Sequence, residues 1–198
     1  MNIIEIFTKS IFLIISFDSD LWEIIILSLY VSISALIIAS ILGLLIGYYI
    51  ALKKFFFKSF ILIVLNSLMG IPPVVVGLIV YFMFASGGPF GVMQLLYTPT
   101  AMIIAQVIII FPIVTSISHE IFDQNWKEHK DQLRSINMPF FGVAFIIAKH
   151  SYFLIITALL SAFGRAISEV GAVMIVGGNI DHFTRVMTTA ISLETRMG

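Results

Sequence analysis

SFILIVLNSLMGIPPVVVGLIVYFMFASGGPFGVMQLLYTPTAMIIAQVIIIFPIVTSIS, Ser59–Ser118, runs for 60 residues without one charged side chain. A helix crosses a hydrocarbon core of about 30 Å with roughly 20 apolar residues, so the stretch holds two crossings. The cluster Ser86-Gly87-Gly88-Pro89-Phe90-Gly91 is the natural turn between them. That division predicts one span over Phe60–Ala85 and another over Thr98–Ser118. Pro72-Pro73 falls inside the first and Pro112 inside the second. Each proline lacks a backbone donor, so each is expected to kink or interrupt its helix. The turn after Gly70 is then either an ordinary membrane-helix kink or a broken segment lining a solute route.

Working outward, Ile24–Leu52 is free of charge for 29 residues and supplies an earlier span, bounded by Trp22 and by Lys53-Lys54. Its serines and glycines allow close helix approach, since apolar burial alone drives little association in lipid. The first seventeen residues carry Glu5 and Lys9 and no small-residue cleavage site. They are expected to be a retained interfacial or partly buried helix, not a signal peptide. On the other side, His119–His150 holds four acids, four lysines or arginines and three histidines, which places it in water. Within it, Gln124–Met138 is expected to be helical and ended by Pro139. Ser151–Val176 follows as a fourth span of 26 residues, and Thr184–Leu193 as a short interfacial helix. Lys53, Lys54 and Lys58 in one connection, and Lys127, Lys130, Arg134 and Lys149 in another, put both connections in the cytoplasm and the glycine turn outside.

The whole composition agrees: 60% apolar and 11% charged residues, with a mean hydropathy of +1.09. A soluble domain covers itself with about a quarter charged residues. No basic stripe favours nucleic acid. The absence of cysteine removes disulfides and thiolate sites. His119, His129 and His150 lack H-E-x-x-H spacing, and neither a phosphate-binding glycine loop nor a G-x-S-x-G elbow occurs. The chain is therefore expected to be no enzyme and to carry no metal or cofactor.

The sharpest polar pair is Arg165 and Glu169. On one helix their i,i+4 spacing places both side chains on the same face, each offsetting the other's desolvation. Charges at membrane depth face a protein interior or an aqueous cavity. The pair is thus a structural ion pair, a participant in solute passage or gating, or a group near the membrane surface. Around it, AISEVGAVMIVGGN (Ala166–Asn179) adds Ser168 and Gly171 to the candidate path with Pro72 and Pro73.

Four segments carry a resemblance: LNSLMGIPPVVVGLIVYFMF (Leu65–Phe84), TPTAMIIAQVIIIFPIV (Thr98–Val114), GRAISEVGAVMIVGGNI (Gly164–Ile180) and TRVMTTAISLET (Thr184–Thr195). Together they resemble the membrane permease subunits of bacterial ABC importers, of the tungstate permease family related to molybdate permeases. The resemblance implies an all-α, polytopic transmembrane bundle of the MetI-like importer type in the bacterial inner membrane. It also implies a second permease copy, two ATPase subunits holding ATP and Mg2+, and an extracytoplasmic tungstate-binding protein. Alternating access would carry the anion. Molybdate or sulfate is the alternative solute, and a channel, secondary transporter or membrane scaffold the alternative of another class.

Family members carry an acidic coupling motif in a cytoplasmic loop, here residues 119–150. Asp131 stands for its acid, Leu133 for its second alanine and Asn137 for its glycine, with Ile136 between them. The family core has five spans. Four are visible in this single domain of residues 1–198, and a fifth is expected where the chain stops, as a shortened layout or a truncation.

Overall fold

The computed structural model describes residues 18–135 and 137–197 together with Thr8, Phe12, Ile15 and Ser16. The expectation for the first seventeen residues lies almost wholly outside the described residues. Everything regular in the described residues is helical.

Helix α1, Ser19–Leu52, begins where the Asp18 carboxylate accepts the Leu21 N–H at 3.1 Å. Its 34 residues extend roughly 50 Å. Ser28, Ser32, Ala35, Ala39, Gly43 and Gly47 form its buried stripe, and α1 packs along α4, Pro99–Ser135. Close approach is the reason for small residues here. A Cβ at Gly47 would lie 2.8 Å from the Thr115 carbonyl oxygen and 2.9 Å from the His119 nitrogen.

The 37-residue α4 differs from expectation at two points. Pro112, fully buried, sits within an unbroken helix. The helix also does not stop at Ser118 but runs on through the charged stretch to Ser135. The helix expected over Gln124–Met138 is therefore the far end of the third span. The acids and lysines alternate with Ile121, Phe122 and Leu133, which are buried, so an amphipathic face keeps the helix going.

The second span is broken. α2, Lys58–Met69, and α3, Pro73–Phe84, meet at a bend of 100°. Gly70 and Ile71 N–H groups close tight bonds to Ser67 and Leu68 carbonyls, at 3.1 and 3.3 Å. Pro72 then takes an extended ψ of 129°, and Pro73 starts α3 where its missing donor costs nothing. The glycine turn follows as expected, with a single 3-10 turn at Gly91–Met93.

The last third departs further from its expected layout. Phe140–His150, assigned to water, is helix α5, whose Val143 and Ile147 are buried against Tyr48, Ala51 and Phe122. It bends by 79° into α6, Tyr152–Ile167. The 26-residue span expected over Ser151–Val176 is instead α6, a turn, and the short α7, Gly171–Gly177. Gly178, at φ 72°, ends α7 in the left-handed region that favours glycine. α8, Met187–Met197, is a short helix where one was expected over Thr184–Leu193, with a later register. Among the described residues α1 and α4 are each long and apolar enough to cross a membrane, and counting each bent pair as one span brings the number to 4.

Candidate functional site

The break after Gly70 opens a cavity of about 280 Å³. Met69 and Ile71 line it from the bend, Val107, Phe111 and Pro112 from α4, and Arg165 from the last turn of α6. Its walls are otherwise apolar. Arg165 has no ion-pair partner among the described residues, so one guanidinium faces this space uncompensated. Irregular backbone at membrane depth is tolerated where it lines a cavity; Ile71 of the bend has that position, while Pro72 and Pro73 shape the bend without lining the space.

Glu169 is not where its spacing suggested. α6 ends at Ile167 because the Ser168 N–H bonds Gly164 O at 3.2 Å and the Glu169 N–H bonds Ala166 O at 3.3 Å, a closing turn. Arg165 and Glu169 therefore share no helix face, and the expected ion pair is absent from the described residues. The Glu169 carboxylate instead accepts the Ala172 N–H at 3.2 Å and caps α7, while its carbonyl accepts the Thr188 hydroxyl at 2.8 Å. Ser168 is exposed and donates to the Arg165 carbonyl at 3.2 Å; it does not line the cavity. Gly171 has a sharper role. A Cβ there would lie 2.5 Å from Val74 Cγ2, so its absence lets α7 touch the first turn of α3. The two breaks, at Pro72-Pro73 and at Ser168–Val170, are thus in contact.

Gln106 escaped the sequence reading. It is buried, its Nε2 donates to the Ala166 carbonyl at 3.0 Å, and its Oε1 has no partner. With Ser28, Ser32, Glu169 and Thr188 it lines a polar void between α1, α4 and the α6–α7 turn. A single glutamine in the apolar run Ala101–Val114 was the available signal.

Toward the lysine-rich end, Asp123 binds Lys127 at 2.6 Å and Lys58 at 3.4 Å. Lys58 also donates to the Ala51 carbonyl at 3.2 Å, which joins α2 to the end of α1. Of the proposed coupling residues, Asp131 is exposed and Leu133 is buried against Tyr48 and Phe122. Asn137 is exposed at φ 48°, the left-handed conformation that asparagine tolerates. Ile136 lies outside the described residues. At the opposite end, His182 Nδ1 meets Glu23 Oε2 at 2.9 Å, and Arg185 meets Asp181 at 2.7 Å.

A bundle with broken spans around a cavity, and one cation turned into it, has the layout of a polytopic membrane permease. Residues 39–197 match the family described as binding-protein-dependent transport system inner membrane component. The chain is 39% identical over 196 residues to the tungstate uptake system permease protein of Peptoclostridium acidaminophilum, covering 99% of this chain and 86% of that one. A probable anion ABC transporter permease protein of Haloferax volcanii is 40% identical over 86% of this chain and 76% of its own. The tungstate uptake system permease protein of Campylobacter jejuni is 37% identical over 73% of this chain, which spans 61% of that relative. The chain belongs to this family. It is a non-catalytic, multi-pass membrane permease component of an ABC-type anion importer.

Proposed function

We propose that this chain forms the membrane path for tungstate in an ATP-driven importer. The observation that carries the reading is the Arg165 guanidinium, unpaired among the described residues, facing the cavity where the second span breaks. A solitary guanidinium stays charged at any physiological pH and attracts a dianion from either side. The remaining wall is apolar, so binding is weak enough for the anion to leave. Two of the relatives above are tungstate uptake permeases, which favours tungstate over molybdate or sulfate.

A second copy completes the path, two ATPases with ATP and Mg2+ drive it, and an extracytoplasmic binding protein delivers the anion. Asp131, Leu133, Ile136 and Asn137 belong to the segment that meets the ATPase. Pro72, Pro73 and Gly171 hold the breaks at the gate, and Glu169 holds the α7 end of it. The test is uptake into proteoliposomes containing ATPase and binding protein. Arg165→Leu should lower tungstate uptake at least about tenfold, an effect of about 1.4 kcal/mol on the barrier, while Arg165→Lys retains part of it. Uptake by Arg165→Leu at the unaltered rate would remove the reading.

A further inference from the structure

A second cavity, of about 630 Å³, lies between α2 and α4 on the lysine-rich side. Met69 lines it as well as the cavity that holds Arg165, so the two spaces adjoin at this residue. Of the polar residues of α4 that line it, Ser116, Glu120, Asp123 and Lys127 recur at intervals of four, three and four along one helical face, with His119 and Gln124 beside them. Asn66 faces them from α2.

Its donors are unusually available. Ser116 Oγ donates to the Asn66 side-chain carbonyl at 2.8 Å, which leaves the Asn66 NH2 group for another acceptor. His119 lines the cavity, and its buried Nε2 has no partner. Two ammonium groups, from Lys58 and Lys127, converge on the single carboxylate of Asp123. Lys127 is largely exposed and moves at little cost.

We propose that this groove is the cytoplasmic release station for the oxyanion, with Met69 where it adjoins the Arg165 cavity. The inference rests on the anion-path reading of the Arg165 cavity. A tetrahedral dianion passing Met69 takes the place of the Asp123 carboxylate as acceptor for Lys127, with the Asn66 amide as a further donor. Lys58 and Lys127 are balanced by Asp123 and Glu120, so the groove carries no net attraction to hold the anion. A station on an exit route needs that weakness.

The chain has no cysteine, so a single introduced thiol is the one reactive thiol in the permease band, which is read apart from the partner proteins. Ile117→Cys and Gln124→Cys, made separately, place reporters on the lining; the first removes no donor, and the second removes none of those assigned to the anion above. Each is assembled with ATPase and binding protein in inside-out proteoliposomes, and alkylation is timed with and without sodium tungstate at constant ionic strength. The expected result is slowing by tungstate of at least about threefold at one or both sites, as for a weakly held permeant ion. Lys127→Ala should abolish the protection and Lys127→Arg should preserve it.

Alkylation unchanged by tungstate, in assemblies that take up tungstate, overturns the release station and leaves the Arg165 path standing. Equal protection by chloride overturns it as mere screening. Protection as complete in phosphatidylglycerol vesicles without tungstate assigns the groove to a lipid headgroup and overturns it too. Assemblies that move neither tungstate, molybdate nor sulfate with Arg165 intact overturn the path reading itself.

Discussion

Glu169 is a carboxylate 6% exposed whose function in the fold is an N-terminal cap. Glutamine keeps the accepting oxygen, whereas alanine leaves the Ala172 N–H without its partner. Glu169→Ala is expected to cost about 1 kcal/mol, as lost caps do, and Glu169→Gln less than half of that. Melting of the detergent-solubilised assembly measures both, and equal losses would refute the capping role. His182 is the other residue with a readable consequence. Its hydrogen bond with Glu23, then the field of Asp181 and of Glu23, raise its pKa above the ordinary imidazole value. The protonated ring donates to Glu23, so the contribution is fully present below the unfolded pKa. It is lost as pH rises through the raised folded value. The loop over residues 178–186 should accordingly become more open to protease as pH rises above the ordinary imidazole range of about 6.5 and through the raised folded value. In His182→Ala that pH dependence should vanish, and its persistence would place the switch elsewhere.

At the scale of elements, the contact between α1 and α4 depends on what glycine omits. A methyl at Gly47 would press on the backbone at Thr115 and His119, which cannot move aside as a side chain can. Gly164, in α6, has no atom within 4 Å of the position a Cβ would take. Gly47→Ala is expected to destabilise by about 1–3 kcal/mol through overpacking. Gly164→Ala should be neutral or stabilise by up to about 1 kcal/mol through helix propensity. Thermal unfolding in one detergent compares them, and losses of similar size would mean that α1 and α4 are not held by this approach. The bend between α2 and α3 has a different origin. Two successive prolines remove donors from the ladder, whereas Pro112 is accommodated inside α4.

Across the whole molecule, Lys53, Lys54 and Lys58 share one end with Lys127 and its neighbours and the glycine turn lies at the other, an arrangement that predicts the lysine-rich end to be cytoplasmic. Gly88 is tightly enclosed by the Phe82 and Met83 carbonyls, while a side chain at Gly87 meets nothing within 4 Å. Gly87→Cys is therefore the better external reporter, and exposed Lys130→Cys its cytoplasmic counterpart. A membrane-impermeant thiol reagent added outside intact cells should label the first and spare the second. Labelling of both from outside would overturn the orientation.

Composition and local chemistry were enough to place the chain in a membrane, to divide Ser59–Ser118 at the glycines and to break the second span at Pro72-Pro73. Those outcomes depend on transfer free energy and on missing backbone donors, which each residue carries wherever it sits. Three things were decided only by tertiary contact. α4 runs past Ser118 because Phe122 and Leu133 find Tyr48, Val143 and Ile147 to pack against. α5 leaves water for the same cluster. The turn at Ser168–Val170 separates Arg165 from Glu169 because Thr188 binds the Glu169 carbonyl from 19 residues away and Gly171 admits Val74 from α3. An i,i+4 spacing describes a face only while the helix continues, and what stops this helix comes from elsewhere in the chain.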